Sequence, residues 1–282
     1  MLIQDFSLHT HTIGFDGRNT PCDMVVRAKE LEMRALGISN HFIVHPNIKQ
    51  TNFYPHAVSG GYDTIYSSSF DEAIARFKSH YDELNRLSDK CEIKLYRGME
   101  VDYFDYPGWR KGFDRALCIL QPDYIIGASH FIEYDGMLCN VHDMANVDSG
   151  KSEKMIQVYW DKIVRAAESG MFNWMAHLDL PKKTGCGRDA WWTDAESMAV
   201  DAAAKSKTPL EINTSLYRPY CDEPYPSPRI LRMAAHARVP VLLSDDAHAA
   251  NQMGQNFLRA YKLAQWCDVT KFLTCDEAVR QR

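Results

Sequence analysis

The stretch VPVLLSDDAH, residues 239–248, is a clear indication of the fold class, because it joins a short apolar strand directly to a group of polar side chains. Residues 239–243 are mostly branched and apolar, which is typical of a buried strand, and Asp246 and His248 follow at once. Helical patterns lie on either side, at residues 228–237 and 255–266. This order predicts one unit of a parallel α/β sheet with polar groups at the carboxyl end of its strand.

The same alternation of strand and helix recurs along the rest of the chain. Further strands are predicted at residues 2–8, 35–38, 92–97, 122–128, 172–176 and 209–212, and further helices at residues 24–36, 70–87, 154–169 and 195–205. Asp23 and Gly37 are the predicted ends of the first helix. Residues 44–69 predict a long irregular loop, a kind of segment that often carries function. No linker or repeat interrupts the pattern, so a single domain is predicted over residues 1–282.

The composition excludes several classes of protein. The 282 residues include 32 basic and 37 acidic side chains, giving a net charge of −5 without a basic stripe, so no nucleic-acid partner is expected. No stretch approaches the roughly 20 apolar residues of a membrane span. The eight cysteines are scattered without a CxxC pair, and the N-terminal residues do not resemble a secretory signal. These features favour reduced thiols and the cytoplasm, while the oligomeric state stays open.

Histidines and carboxylates follow nearly every predicted strand. The residues in these positions are His9, His11, His41, Glu100, His130, His177, Asp246 and His248. Because the carboxyl ends of parallel strands meet on one face, we expect these side chains to converge. His9 with His11, and Asp246 with His248, are two residues apart and can therefore face one ion. The pattern predicts a divalent-metal site.

The other histidines do not follow predicted strands. His80 and His236 fall within helical patterns and are expected to be exposed or hydrogen-bonded, and His142 is also assigned a structural role. His45 and His56 lie on the long predicted loop, where contact with a substrate remains open. Asp102, which shares a strand face with Glu100, is a candidate for supporting a metal ligand.

The motifs, taken in order, resemble those of the PHP (polymerase and histidinol phosphatase) family. They are His9-Thr-His11-Thr, Asp16-Gly17, Ser39-Asn-His41, Gly98-Met-Glu100, Ser129-His130, Ala176-His177-Leu-Asp179 and Ser244-Asp-Asp-Ala-His248. Within the family the chain is most similar to the stand-alone histidinol-phosphate phosphatases, on segments such as DYIIGASHF (123–131), HLDLPKK (177–183) and LEINTS (210–215). One departure is Asn40, where members commonly have Asp or Glu.

The resemblance implies a distorted (β/α)7 TIM-like barrel with three divalent metal ions, which could be zinc, iron or manganese. One ion would be held by His9, His11, Glu100 and Asp246. Glu100 would bridge to a second ion on His130 and His177. Asp16, His41 and His248 would hold the third.

The chemistry implied is hydrolysis of a phosphomonoester, most simply L-histidinol phosphate, by a metal-bridged hydroxide. Matching family positions nominate Arg218 and Lys183 as cations that bind the phosphate, and no side chain is assigned as general acid. Three alternatives stay open: another small phosphoester such as a nucleotide or sugar phosphate, an amidohydrolase-type reaction, and a metal-binding module without catalysis.

Overall fold

Short apolar strands followed by amphipathic helices make up most of the chain. The structure is a computed structural model that describes residues 3–185, 192–217 and 221–280. Its strands are β1 Phe6–Ser7, β2 Ala35–Ile38, β3 His41–Val44, β4 Tyr66–Ser67, β5 Lys94–Arg97, β6 Glu100–Asp102, β7 Ile126–Ala128, β8 Phe131–Tyr134, β9 Met137–Asn140, β10 Trp174–Met175, β11 Leu210–Asn213 and β12 Val241–Ser244. Its α-helices are α1 Pro21–Glu30, α2 Tyr54–Gly60, α3 Phe70–Ser88, α4 Trp109–Leu120, α5 Ser149–Glu168, α6 Trp192–Ser206, α7 Pro228–His236, α8 Phe257–Trp266 and α9 Cys275–Val279.

The parallel strands form a distorted (β/α)7 barrel. One sheet has the order β1-β2-β5 and the other β12-β11-β10-β7-β6-β3-β4. Short breaks separate β2 from β3 and β5 from β6, so each pair follows one course around the barrel and changes its neighbours at the break. The ring closes through a parallel bridge between Thr10 and Ala247, where the His11 amide donates to the Ala247 carbonyl over 2.9 Å. The predicted fold class is therefore confirmed.

Side chains on alternate strand positions divide the core into two parts. Inside the barrel, Tyr124 and Trp174 stack with ring centroids 5.1 Å apart. The outward-facing residues pack instead against the surrounding helices in a larger cluster. Packed aromatic side chains thus occupy the barrel interior below the carboxyl ends of the strands.

Gly37 belongs to β2, and its prediction as the end of the first helix is wrong. A β-carbon there would lie 2.1 Å from the Tyr124 hydroxyl oxygen, and one at Gly98 would lie 2.3 Å from the same atom. That hydroxyl donates to the Leu8 carbonyl over 2.6 Å. Gly37 is therefore needed for the close approach of Tyr124 rather than for a helix terminus.

The N-cap of the first helix lies three residues before its predicted position. Thr20 is the N-cap of α1, and Asp23 is the third helical residue, whose carboxylate accepts from the Thr20 amide in a capping box. The helix ends at Glu30, so residues 31–34 lead into β2 without helical structure. The assignment of Asp23 as N-cap is therefore wrong, although Asp23 does take part in the cap.

The segment predicted as a long irregular loop is largely structured. Residues 44–69 contain α2 and β4, and β4 pairs in parallel with β3. Ile48, Ala57 and Ile65 are buried and anchor the segment to the main core. The apolar residues are too widely spaced to form a clear periodic pattern, which explains why the sequence did not reveal these elements.

Two further observations concern the described residues. None of their helices is both long and apolar enough to cross a membrane. Their seven cysteines, which exclude Cys186, all carry free thiols.

Candidate metal centre

Nine histidine, aspartate and glutamate side chains meet above the carboxyl ends of the barrel strands. Each was predicted from the sequence, eight from strand ends and Asp16 from the family resemblance. They are His9, His11, Asp16, His41, Glu100, His130, His177, Asp246 and His248. His41 and Glu100 lie just after the breaks in their strands, which lets both side chains turn inward.

Glu100 lies at the middle of the cluster and is almost completely buried. Five histidines surround its carboxylate. Around Oε1 are His177 Nε2 at 2.9 Å and His130 Nε2 at 3.6 Å, and around Oε2 are His41 Nδ1 at 2.7 Å, His9 Nε2 at 3.5 Å and His11 Nε2 at 3.6 Å. This position allows the two carboxylate oxygens to face different parts of the cluster.

Asp246 and Asp16 border the cluster on the side of the strand β12. Asp246 Oδ1 is 3.1 Å from His11 Nε2 and 3.5 Å from His9 Nε2. Asp16 Oδ2 is 3.0 Å from His248 Nε2 and 3.1 Å from His41 Nε2. Asp246 has a positive φ of 48°, a strained conformation for a non-glycine residue that is common at functional sites.

The ligand atoms form three overlapping groups of the size of a metal site. In each group the donor atoms lie within 4.8 Å of one another. The groups are His11, Asp16, His41 and His248; His9, His11 and Glu100; and His41, Glu100 and His130. These groups differ from the family-derived sets in placing His41 beside Glu100 and His11 beside Asp16.

Electrostatics keep the carboxylates ionised. Burial alone would raise the pKa of Glu100, but the imidazoles of His41 and His9 hold it well below its ordinary value. Opposing histidines overcome burial in the same way at Asp16 and Asp246, whose pKa values are also lowered. Ionised carboxylates are the form that binds a divalent cation.

Several buried polar atoms in the cluster lack a hydrogen-bond partner of acceptable geometry. They are His9 Nε2, His11 Nδ1, Asp16 Oδ1, His41 Nδ1, Glu100 Oε2 and His177 Nδ1. Buried polar atoms are costly without a partner, and an ion is a common reason for finding several together. Imidazole nitrogens and carboxylate oxygens suit zinc, iron and manganese, so the donor set fits the implied metals.

Glu211 supports the cluster from below, and no role was predicted for it from the sequence. Its carboxylate lies 2.9 Å from His9 Nδ1 and accepts from the His177 amide over 3.0 Å and from Trp174 Nε1 over 3.2 Å. It lies inside β11 rather than after it, so a search of strand ends misses it. A glutamate within a predicted apolar strand was the available signal.

Asp102 supports His130 as expected. Its Oδ2 is 2.8 Å from His130 Nδ1, and the His130 backbone amide also donates to the carboxylate. A carboxylate on Nδ1 fixes the ring orientation and leaves Nε2 facing Glu100.

Asn40, the departure from the family motif, joins two parts of the structure through its amide. Its Oδ1 accepts from the Thr12 backbone amide over 2.8 Å, and its Nδ2 lies 3.0 Å from Nε2 of the buried His80. The amide nitrogen donates to Nε2 of the imidazole, whereas an ionised carboxylate at this position could only accept from it, so the two residue types require opposite roles of Nε2.

His45 was predicted to lie away from a strand end, and this prediction is wrong. It directly follows β3 and is buried, with Nε2 2.8 Å from Glu133 Oε1. His80 is buried and hydrogen-bonded, and His236 is exposed, as expected.

An open cavity of about 510 Å³ lies over the cluster. Lys183, one of the two cations predicted to bind the phosphate, lines it, whereas Arg218, the other, lies outside the described residues. Arg18 also lines the cavity, and it was not predicted. Its side chain forms no ion pair with a described residue, and its backbone amide donates to the His248 carbonyl over 2.8 Å. Its position two residues after Asp16 was the available signal.

The comparisons with known proteins agree with this arrangement. The sequence profile of the PHP domain matches residues 5–215. The chain belongs to the PHP family. A Deinococcus radiodurans protein described as a probable histidinol-phosphatase is 31% identical over 180 residues, which are 62% of this chain and 65% of that protein. This PHP chain therefore matches just under two thirds of the relative's length.

Two solved structures have the same fold as this PHP protein. A Listeria monocytogenes structure assigned as the histidinol phosphatase HisK has a TM-score of 0.67 at 19% identity, covering 90% of this chain and 99% of its own. The Lactococcus lactis histidinol phosphate phosphatase HisK, in complex with zinc, L-histidinol and phosphate, has a TM-score of 0.66 at 16% identity, covering 98% of both chains. At these identities the likeness establishes the barrel.

Proposed function

We propose that this protein is a metal-dependent phosphomonoesterase that hydrolyses L-histidinol phosphate to L-histidinol and phosphate. The observation that carries the proposal is the convergence of the predicted ligand residues around Glu100, with buried donor atoms left unpartnered beneath an open cavity. Membership of the PHP family and the similarity to a probable histidinol-phosphatase support the substrate.

Three divalent ions are part of the proposal, with zinc, iron or manganese as candidates. The nine residues named above would hold them, with Glu100 as a bridging ligand. The three overlapping groups of donor atoms support this number of ions. Divalent ions at such a site supply Lewis acidity and make a nucleophile available from water at neutral pH.

The side chains of the protein bind and orient the substrate in this proposal. Lys183 and Arg218, with Arg18 as a further candidate, would attract the phosphate through charge-assisted hydrogen bonds. A cavity of about 510 Å³ is in the usual range for a small-molecule site. Glu211 and Asp102 would keep His9 and His130 in the orientation that the site requires.

The proposed metallophosphoesterase domain spans residues 1–282. The PHP profile ends at residue 215, but β12 lies beyond it, and Asp246 and His248 come from the loop that follows β12. A cytoplasmic location is also proposed, because scattered cysteines suit a reducing compartment.

A panel of substrates tests the proposal. Values of kcat/KM are measured for L-histidinol phosphate, for generic phosphomonoesters, for nucleotide and sugar phosphates, and for amide substrates of barrel amidohydrolases. We expect L-histidinol phosphate to exceed the others by at least about tenfold. Equal values for generic esters would contradict the substrate, and turnover of amides alone would contradict phosphatase chemistry. An absence of any turnover with full metal occupancy would favour a binding module.

A further inference from the structure

A lysine is buried behind the metal centre, and the chemistry described so far does not use it. Lys162 lies in α5 and is only 4% exposed. Its Nζ donates to the Phe131 carbonyl over 2.6 Å, is 3.9 Å from Asp102 Oδ1 and lies 3.9 Å from the centre of the Phe104 ring. Burying an ammonium group is costly, so such a residue needs compensating partners.

The two polar partners of Lys162 both lead to His130. Phe131 is the next residue in the chain, so its carbonyl belongs to the backbone that carries His130. Asp102 holds the imidazole through Nδ1 over 2.8 Å and the His130 amide over 3.0 Å. Lys162 therefore contacts both the backbone beside His130 and the carboxylate that orients its ring.

Asp102 also needs a cation if His130 is neutral. The carboxylate is 1% exposed, and a neutral imidazole supplies hydrogen bonds but no positive charge. Lys162 is the closest cationic side chain that the structure describes around Asp102. Burial lowers the pKa of Lys162 to about 8, and Asp102, Glu133 and Asp105 act in the opposite direction. At neutral pH most Lys162 side chains therefore carry a positive charge.

We propose that Lys162 is a positioning residue that holds His130 in its metal-binding orientation, by compensating the charge of Asp102 and anchoring the Phe131 carbonyl. The inference rests on the metal centre proposed above and assigns to it a residue that lies outside the ligand set. It explains why a cation occupies the apolar interface between α5 and the barrel.

Zinc affinity tests this role without any substrate. Stepwise zinc binding is measured by competition with a chromophoric chelator, and the step that involves His130 is the one that His130→Gln removes. We expect Lys162→Met to weaken that step by about 10- to 100-fold and to leave the other steps within about twofold. Lys162→Arg, which keeps the charge and the donors, should recover part of the loss. Lys154→Met is the matched control, because Lys154 is an exposed residue of the same helix.

A double-mutant cycle shows whether Lys162 acts through Asp102. If it does, Lys162→Met should add little to the loss that Asp102→Asn causes alone. Fully additive losses, or an unchanged His130 step in Lys162→Met, would overturn the proposal. A uniform weakening of all steps would also overturn it, since that is the result of a general loss of structure.

If Lys162→Met fails to fold, the stability of a double variant tests the proposal instead. Removing both charges, in Lys162→Met with Asp102→Asn, should restore folding, because the uncompensated buried carboxylate is gone. A double variant no more stable than Lys162→Met would contradict the coupling. Zinc binding that behaves as expected in a protein that hydrolyses no phosphate ester would leave this inference intact and refute only the proposed reaction.

Discussion

Glu211 Oε2 lies 2.9 Å from His9 Nδ1, although the two residues are 202 positions apart in the chain. The contact joins the first and the penultimate strand positions of the barrel beneath the metal centre. With Glu211 on Nδ1, the opposite nitrogen of His9 is directed at Glu100 and Asp246. One buried carboxylate thus sets the orientation of a ligand on which the proposed site depends.

Replacing Glu211 by Gln tests this support. The amide can accept on one side only, whereas Glu211 faces donors on both oxygens. We expect kcat/KM to fall by about 10- to 100-fold and the unfolding free energy to fall by about 1–3 kcal/mol. Steady-state kinetics and denaturant unfolding measure both effects. Glu83→Gln, at an exposed site on α3, is the control, and equal behaviour of the two variants would contradict the role of Glu211.

Glu100→Gln tests the centre of the cluster. Because Glu100 contacts five histidines and is the proposed bridging ligand, removing its charge should disturb more than one ion. We expect kcat to drop by about 1,000-fold or more, about 4 kcal/mol in activation free energy, with the fold retained by circular dichroism. Normal turnover with full metal occupancy would show that Glu100 is not the bridge.

The regular parts of the fold could be predicted because their local signals agree. Helix α3 matches its predicted bounds to within one residue, since Ser69 caps its start and its apolar face is periodic through Leu84. Strand bounds were less accurate, as at residues 122–128, of which only Ile126–Ala128 are paired. Apolar character continues into the turns at these ends, while hydrogen bonding to neighbouring strands decides where a strand begins.

The convergence of the ligand residues could be predicted because they follow parallel strands, whose carboxyl ends meet on one face. The residues that support these ligands could not be predicted in this way. His9, Glu100 and Asp246 are ordered along the chain as the barrel requires. Glu211 and Lys162 are distant in sequence from the ligands that they support, and only the packing of β11 and α5 brings them close. The breaks in the strands at residues 39–40 and 98–99 are likewise a product of barrel packing.

The proposed phosphate contact is tested at Arg218. If Arg218 binds the phosphate, Arg218→Ala should lower kcat/KM by about 30- to 1,000-fold, about 2–4 kcal/mol, without changing metal content. Arg218→Lys should recover only part of the loss, because an ammonium cannot form two parallel hydrogen bonds. Unaltered kinetics in Arg218→Ala would move the contact to Lys183, whose Ala variant would then show the loss.

His80 predicts an acid-sensitive step in stability. Burial lowers its pKa to about 4 from the ordinary 6.5, so the unfolded chain binds a proton that the folded protein does not. Stability from this residue is present above pH 6.5 and falls as the pH decreases toward 4. His80→Gln retains an acceptor for Asn40 but cannot titrate. Between pH 7 and 4.5 its unfolding free energy should therefore fall by about 2 kcal/mol less than that of the unsubstituted protein. Parallel pH profiles of the two proteins would contradict this assignment.

The proposed reaction is hydrolysis of L-histidinol phosphate by a metal centre built on Glu100 and its surrounding histidines. Its most direct test is kcat/KM for this substrate, measured on chelator-stripped protein as zinc, iron or manganese is restored and the bound metal per chain is counted. We predict negligible activity in the stripped protein and recovery in proportion to metal content, reaching a plateau near three ions per chain. Full activity in the protein stripped of metal would contradict the account.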